Sequence, residues 1–175
     1  LSSHDKPRAL SVLADIGDME PERRFRRAFD MNADDYARGK RRLVAAWNLI
    51  CHLPGMPCIY YGDEAGMEGY SDPYNRAAYP WGREDSQLVG YYEKLGRLRD
   101  ENRDVLAEGE FCVDHAKGGV IAYTRQSECG EIRVIANAGG RAVSYALEGE
   151  WLELLSGERY SGKVAPYSAV VLRRQ

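Results

Sequence analysis

Near residue 105 the hydrophobic repeat of this chain changes, and that change limits the architectures open to it. Upstream, Leu43, Trp47, Ile50 and Leu53 fall at i, i+4, i+7 and i+10, and Leu88, Tyr91, Leu95 and Leu98 form a second stripe. Apolar residues at these spacings line one face of a helix. Pro54-Gly55 closes the first helix, expected over 37–53, and Ser86 is placed to cap the second, expected over 86–102. Downstream the period is two. GGVIAYTR, EIRVIANAG, RAVSYAL, EWLELLSGERY and APYSAVVLRR are short runs separated by turn residues. They read as strands of a small antiparallel sandwich over about 106–174.

Between the two helical stripes lies MPCIYYGDE, a short apolar run that suits a strand near 57–61 buried on both faces, as in a parallel sheet. Residues 1–104 therefore read as loop, helix, strand, long loop and helix, the α/β alternation of a parallel sheet with one complete strand. The expected domains are 1–104 and 105–175.

A hydrophobic content of 44% is enough to build a core, and no run approaches the ~18 apolar residues a membrane helix needs. A net charge of −3 argues against a polyanion held by bulk electrostatics. Arg23, Arg24, Arg26 and Arg27 form a basic cluster, but Asp15, Asp18, Glu20, Glu22, Asp30, Asp34 and Asp35 surround it. A solvated loop or short helix is expected there, with neither nucleic acid nor membrane as partner. Cys51, Cys58, Cys112 and Cys129 show no CxxC spacing and no nearby His pair. Isolated buried thiols in a reducing, cytoplasmic compartment are expected, and no metal.

His4-Asp5 sets a carboxylate beside an imidazole, which suits a catalytic pair, a metal site or a simple turn. Tyr60, Tyr61, Tyr70, Tyr74, Tyr79 and Trp81 are interleaved with Asp63, Glu64, Glu68, Asp72 and Arg76. Flat rings with charged groups match the apolar C–H faces and hydroxyl rim of a sugar, and equally suit a long loop that packs on itself.

SHDKPR at 3–8, GMPCIYYGDEAGMEGYSDPYNRAAYPW at 55–81 and the terminal PYSAVVL resemble the α-amylase family of glycoside hydrolases. The resemblance lies nearest the neopullulanase, cyclomaltodextrinase and maltogenic amylase branch. It implies the C-terminal quarter of a (β/α)8 barrel followed by an antiparallel β-sandwich, hence the C-terminal part of a longer enzyme. LSSHD would end the seventh strand and CIYYG would be the eighth. The active site of such a barrel lies on loops at the strands' C-terminal ends. The family mechanism is retaining hydrolysis of α-glucosidic bonds, which uses two carboxylates about 5–5.5 Å apart. Those two follow the fourth and fifth strands, so this chain alone is expected to be inactive. By position Asp5 is a third carboxylate that binds sugar hydroxyls at the cleavage subsite, with His4 donating to the same sugar. Asp72 and Arg76 match substrate-binding positions, or form a salt bridge within the loop. Arg8, Asp63 and Glu64 match family positions as loop supports.

Lys6 stands where Thr is frequent, RAAYPW replaces a more usual Arg- and Met-bearing segment, and the 15–35 stretch is long; these bear on linkage preference. The implied partner is an α-glucan or maltooligosaccharide, and no cofactor is needed. The 58–61 strand would lose its neighbours in this chain, and an open apolar edge invites pairing. A homo-oligomer joined through 40–100, or partial disorder there around a well-formed C-terminal domain, is the expected consequence. A reading of another class is a non-catalytic carbohydrate-binding or interaction module built on the sandwich. Against it, Tyr123, Tyr145, Trp151, Tyr160 and Tyr167 mostly sit in apolar strand contexts.

Overall fold

The computed structural model describes residues 1–15, 31–70 and 72–175. The cluster Arg23, Arg24, Arg26 and Arg27, with most of the surrounding polar stretch, lies outside the described residues. The chain divides into two compact units, 1–43 with 58–92 and 44–57 with 93–175. The helices are α1 (Ala9–Ala14), α2 (Ala33–Ile50), α3 (Ser86–Glu101) and α4 (Arg103–Glu108), and Tyr74–Arg76 forms a 3-10 turn. None of the described helices is long and apolar enough to cross a membrane.

In the first unit α2 starts four residues before the expected 37. Asn32 explains the early start: its Oδ1 accepts from the Asp35 N–H at 2.9 Å, and its amide donates to the Asp35 carboxylate at 2.8 Å. The first bond satisfies one of the N–H donors a helix start leaves orphaned, and the second holds the Asn32 side chain in place for it. The helix ends at Ile50 rather than 53, because the chain already turns before Pro54, with Leu53 N–H on the Ile50 carbonyl. Leu43 and Trp47 are buried as the stripe predicts. Gly39 lets α1 approach α2, since a Cβ there would sit 2.6 Å from the Leu10 carbonyl oxygen.

On α3, Leu88, Leu95 and Leu98 are buried, but the buried tyrosine is Tyr92 and Tyr91 is half-buried. At i+4 from Leu88, position 92 lies ~40° around the helix, against ~60° for i+3. The expected cap is also displaced. The carboxylate of Asp85, not the exposed Ser86, accepts the N–H groups of Gln87 (3.0 Å) and Leu88 (3.1 Å). The same carboxylate takes the Tyr36 hydroxyl at 2.9 Å and the Lys40 ammonium at 2.6 Å. Burial alone would raise the Asp85 carboxyl, but Lys40 and the Leu88 amide outweigh it and hold it low. Asp85→Ala should therefore cost about 1–2 kcal/mol in urea denaturation, while Ser86→Ala stays within about 0.5 kcal/mol. Equal losses would return the cap to Ser86.

The strand expected near 57–61 does not form. Residues 56–60 carry no strand pairing, and Cys58, Ile59 and Tyr61 are exposed. A strand exists through its ladder partners, and none of the described strands pairs with this run.

The second unit holds all seven strands found among the described residues. These are β1 (Glu110–Lys117), β2 (Val120–Ser127), β3 (Gly130–Asn137), β4 (Val143–Ser144), β5 (Trp151–Glu153), β6 (Lys163–Val164) and β7 (Ser168–Arg174). They form a five-stranded sheet in the order β1-β2-β3-β7-β5 and a two-stranded ribbon β4-β6, with every pairing antiparallel. In the register Tyr123 opposes Val134, and Val134 opposes Val171. These three share one face with Ile132 and pack on Val105 and Leu106 of α4. The opposite face carries Ala122, Ile135 and Leu172, which cluster with Trp151 and with Val164 and Val143 of the ribbon. Alternation at period two puts these side chains on opposite faces. β1 escaped the pattern because it is an edge strand, exposed along nearly its whole length and bulged between Val113 and His115.

Donors in this unit close the C-terminal end of α2. Tyr123 donates to the Leu49 carbonyl, Arg99 to those of Cys51 and Gly55, and Arg125 to that of His52. Carbonyls a helix end leaves open are thereby paired. The expected burial of all four cysteines is corrected: Cys51 is buried, while Cys58, Cys112 and Cys129 are exposed. Cys112 lies on the edge strand, Cys129 in the β2–β3 turn, and Cys58 in the run that finds no ladder.

Candidate functional site

His4 and Asp5 occupy a tight turn made by the first residues. The Lys6 N–H donates to the Ser3 carbonyl at 3.2 Å, and the Asp5 N–H donates to the Ser3 hydroxyl at 3.3 Å. The His4 Nε2 and an Asp5 carboxylate oxygen are 2.9 Å apart, and both side chains are largely exposed. The sequence leaves a catalytic pair, a metal site or a simple turn open here; the structure shows a turn whose imidazole and carboxylate lie in contact.

Arg8 anchors the turn from below. Its side chain is fully buried, with the guanidinium 4.3 Å from the Tyr60 ring centroid and 4.6 Å from that of Tyr61. It donates to the Tyr61 carbonyl and lies 3.4 Å from the Asp63 carboxylate, itself buried. Burial pushes the Asp63 carboxyl up, more than Ser2 and Arg8 pull it down. The Arg8 N–H donates to the Gly69 carbonyl at 2.7 Å, and the Gly69 N–H donates to the Ser11 hydroxyl at 2.9 Å. A Cβ at Gly69 would lie 2.7 Å from the Tyr74 carbonyl oxygen, so only glycine lets the loop fold this tightly.

That loop returns the DPYNR segment to the turn. The Asn75 amide, buried, donates to the carbonyls of His4 (2.9 Å) and Lys6 (3.0 Å). Arg76 Nε donates to the His4 carbonyl at 3.1 Å and lies 3.3 Å from the Asp72 carboxylate. A second Arg76 nitrogen is 3.9 Å from the Asp5 carboxylate. His4, Asp5, Asp72 and Arg76 thus converge, although about seventy residues of chain separate the two motifs. The intraloop salt bridge weighed for Asp72 and Arg76 is present, and Arg76 extends it to Asp5. Asn75 is the residue sequence reasoning missed. Its signal was its place inside DPYNR, where an amide can bind two carbonyls as a backbone group would.

Chemically, the cluster offers an imidazole, a guanidinium and two carboxylates at an open surface. One Asp5 oxygen faces His4 Nε2, and the other, 3.9 Å from Arg76 and beyond hydrogen-bond distance, is open to hydroxyl donors. Among the described residues no group of three His, Cys, Asp or Glu side chains could hold a metal ion.

No family model matches the chain. It is 39% identical over 126 residues to the amylopullulanase of Thermoanaerobacter thermohydrosulfuricus, covering 72% of this chain and 8% of that protein. It is 35% identical over 111 residues to the maltogenic alpha-amylase of Bacillus acidopullulyticus, covering 61% of this chain and 19% of that protein. Among solved structures, a maltogenic amylase from S. marinus superposes with a TM-score of 0.73 at 25% identity, covering 99% of this chain and 22% of that one. The chain therefore spans less than a quarter of each of these three proteins.

Proposed function

This chain belongs to the α-amylase family of glycoside hydrolases, and from that premise we propose that it forms part of the substrate site of a retaining α-glucan hydrolase. In this reading residues 1–104 contribute the loops after the last two strands of a catalytic β/α barrel, and residues 105–175 are its C-terminal antiparallel domain. Asp5 accepts hydroxyl protons of the glucose unit at the cleavage point, and His4 donates to the same unit. Asp72 and Arg76 grip a neighbouring unit through paired acceptor and donor groups. The bond cleaved is α-1,4-glucosidic, with α-1,6 linkages as a further substrate.

The observation that carries this reading is the convergence on Arg76 of Asp5 and Asp72, from motifs far apart in the chain. An isolated salt bridge within the loop would not need Asp5 or the Asn75 tether to the His4 carbonyl. The binding-module reading finds less support, because Tyr123 and Trp151 are buried in the strand clusters and the Tyr160 hydroxyl is spent on the Tyr145 carbonyl.

Retaining hydrolysis needs a nucleophile and a general acid in addition to a residue that binds hydroxyls. Asp5 supplies only the last of these. The purified 175-residue chain is therefore expected to release no reducing sugar from maltotriose or a cyclodextrin. Measurable turnover would mean that the roles are wrongly assigned.

A further inference from the structure

One large apolar surface is left unused by the site described above. Of the three tryptophans, Trp47 and Trp151 are 2% and 4% exposed, whereas Trp81 is 81% exposed. A ring of that size in water forgoes substantial hydrophobic stabilisation, and the neighbouring Tyr79 ring extends the flat surface it presents. Trp81 is also held in place. Its ring centroid lies 4.5 Å from that of Tyr79, and its N–H donates to the Tyr79 carbonyl at 2.9 Å. The next turn is closed by Arg83 N–H on the Pro80 carbonyl at 2.8 Å. Upstream, the Tyr61 hydroxyl pins the Ala77 carbonyl at 2.9 Å.

We propose that Trp81, backed by Tyr79, is a stacking platform for the part of an α-1,4-glucan chain that runs on beyond the Asp5–Arg76 cluster. The proposal rests on reading that cluster as a sugar site. A pyranose presents a C–H face to a flat ring and its hydroxyls to the rim. A platform already ordered by a partner ring and two turn hydrogen bonds loses little entropy on binding. Five residues separate Trp81 from Arg76, so their backbones lie at most about 18 Å apart. In this proposal one oligosaccharide of several units touches both, whereas maltose, held at the cluster, does not extend to the ring. Length selectivity is the consequence: Trp81 adds affinity for long chains and none for the disaccharide.

The test uses the full 175-residue chain with maltoheptaose and maltose, titrated by calorimetry, in wild type, Trp81→Ala, Trp81→Phe and Arg76→Ala. Trp81→Ala should weaken maltoheptaose binding about tenfold and leave maltose unchanged, with Trp81→Phe recovering most of the loss. Because the other two tryptophans are buried, acrylamide quenching of wild-type fluorescence reports on Trp81, and saturating maltoheptaose should reduce it. Wild-type affinity in Trp81→Ala, unchanged quenching at saturation, or no binding of either sugar by the wild type would each overturn the platform. If Arg76→Ala alone weakens binding, the platform falls and the site reading stands. If Trp81→Ala alone weakens it, the ring binds glucan, but the site reading falls and the platform's place as a continuation of that cluster falls with it. Trp81→Ala removes an exposed side chain, so its circular dichroism should match wild type.

Discussion

Asp5→Asn, made in an enzyme that carries this chain within a complete barrel, should lower kcat about 100-fold or more while KM moves far less. The amide keeps the size of the carboxylate but replaces one acceptor with a donor and removes the charge. A carboxylate that accepts from sugar hydroxyls gains strength as the ring flattens and positive charge develops toward the oxocarbenium-like state. That gain appears only in the transition state, so its loss is a loss of kcat. Asp72→Asn should behave differently. A residue that grips a neighbouring unit binds ground state and transition state alike, and its removal raises KM with kcat nearly unchanged. Steady-state kinetics on a maltooligosaccharide separate the two. An unchanged kcat in the Asp5 variant would remove it from the chemistry.

Asp63→Ala should destabilise the fold by about 3–5 kcal/mol, among the larger effects open to a single substitution here. The Arg8 guanidinium is wholly buried beneath the His4-Asp5 turn, and among the described residues Asp63 is its carboxylate partner. Without Asp63 the charge keeps the Tyr61 carbonyl and two tyrosine faces but no counter-ion. A buried ion pair adds little net stability, because desolvation offsets attraction; a buried charge left alone is what costs. The double variant Arg8→Met with Asp63→Leu should accordingly recover much of the loss. Urea denaturation of the two variants decides it. A single variant within about 0.5 kcal/mol of wild type would show that the pair does not hold the turn.

Local spacing was enough to identify α2 and α3 and the strands β2, β3 and β7, because side chains a few residues apart decide which face a helix or strand can bury. Leu43, Leu88, Ala122 and Val134 are buried as the repeats require. The short motifs around His4-Asp5 and DPYNR also marked the candidate site, since each carries its chemistry within a few residues. Caps were read less well. Ser86 stands at the start of α3, yet Asp85 caps it, because Tyr36 and Lys40 also converge on that carboxylate. The run at 57–61 shows the limit most clearly. Its apolar residues fit a buried strand, but a strand is a relation between neighbours, and no described strand pairs with it.

By itself, then, the sequence determined the periodicities, the change of fold type near residue 105 and the two short motifs from which the proposed sugar site is drawn. Only the tertiary structure decided that Asn75 tethers the turn, that Asp63 pairs with Arg8 and that Arg76 reaches Asp5. These contacts join residues 55 to 71 positions apart. Hydrogen bonds and ion pairs act over a few ångströms, so which distant groups meet depends on how the whole chain closes.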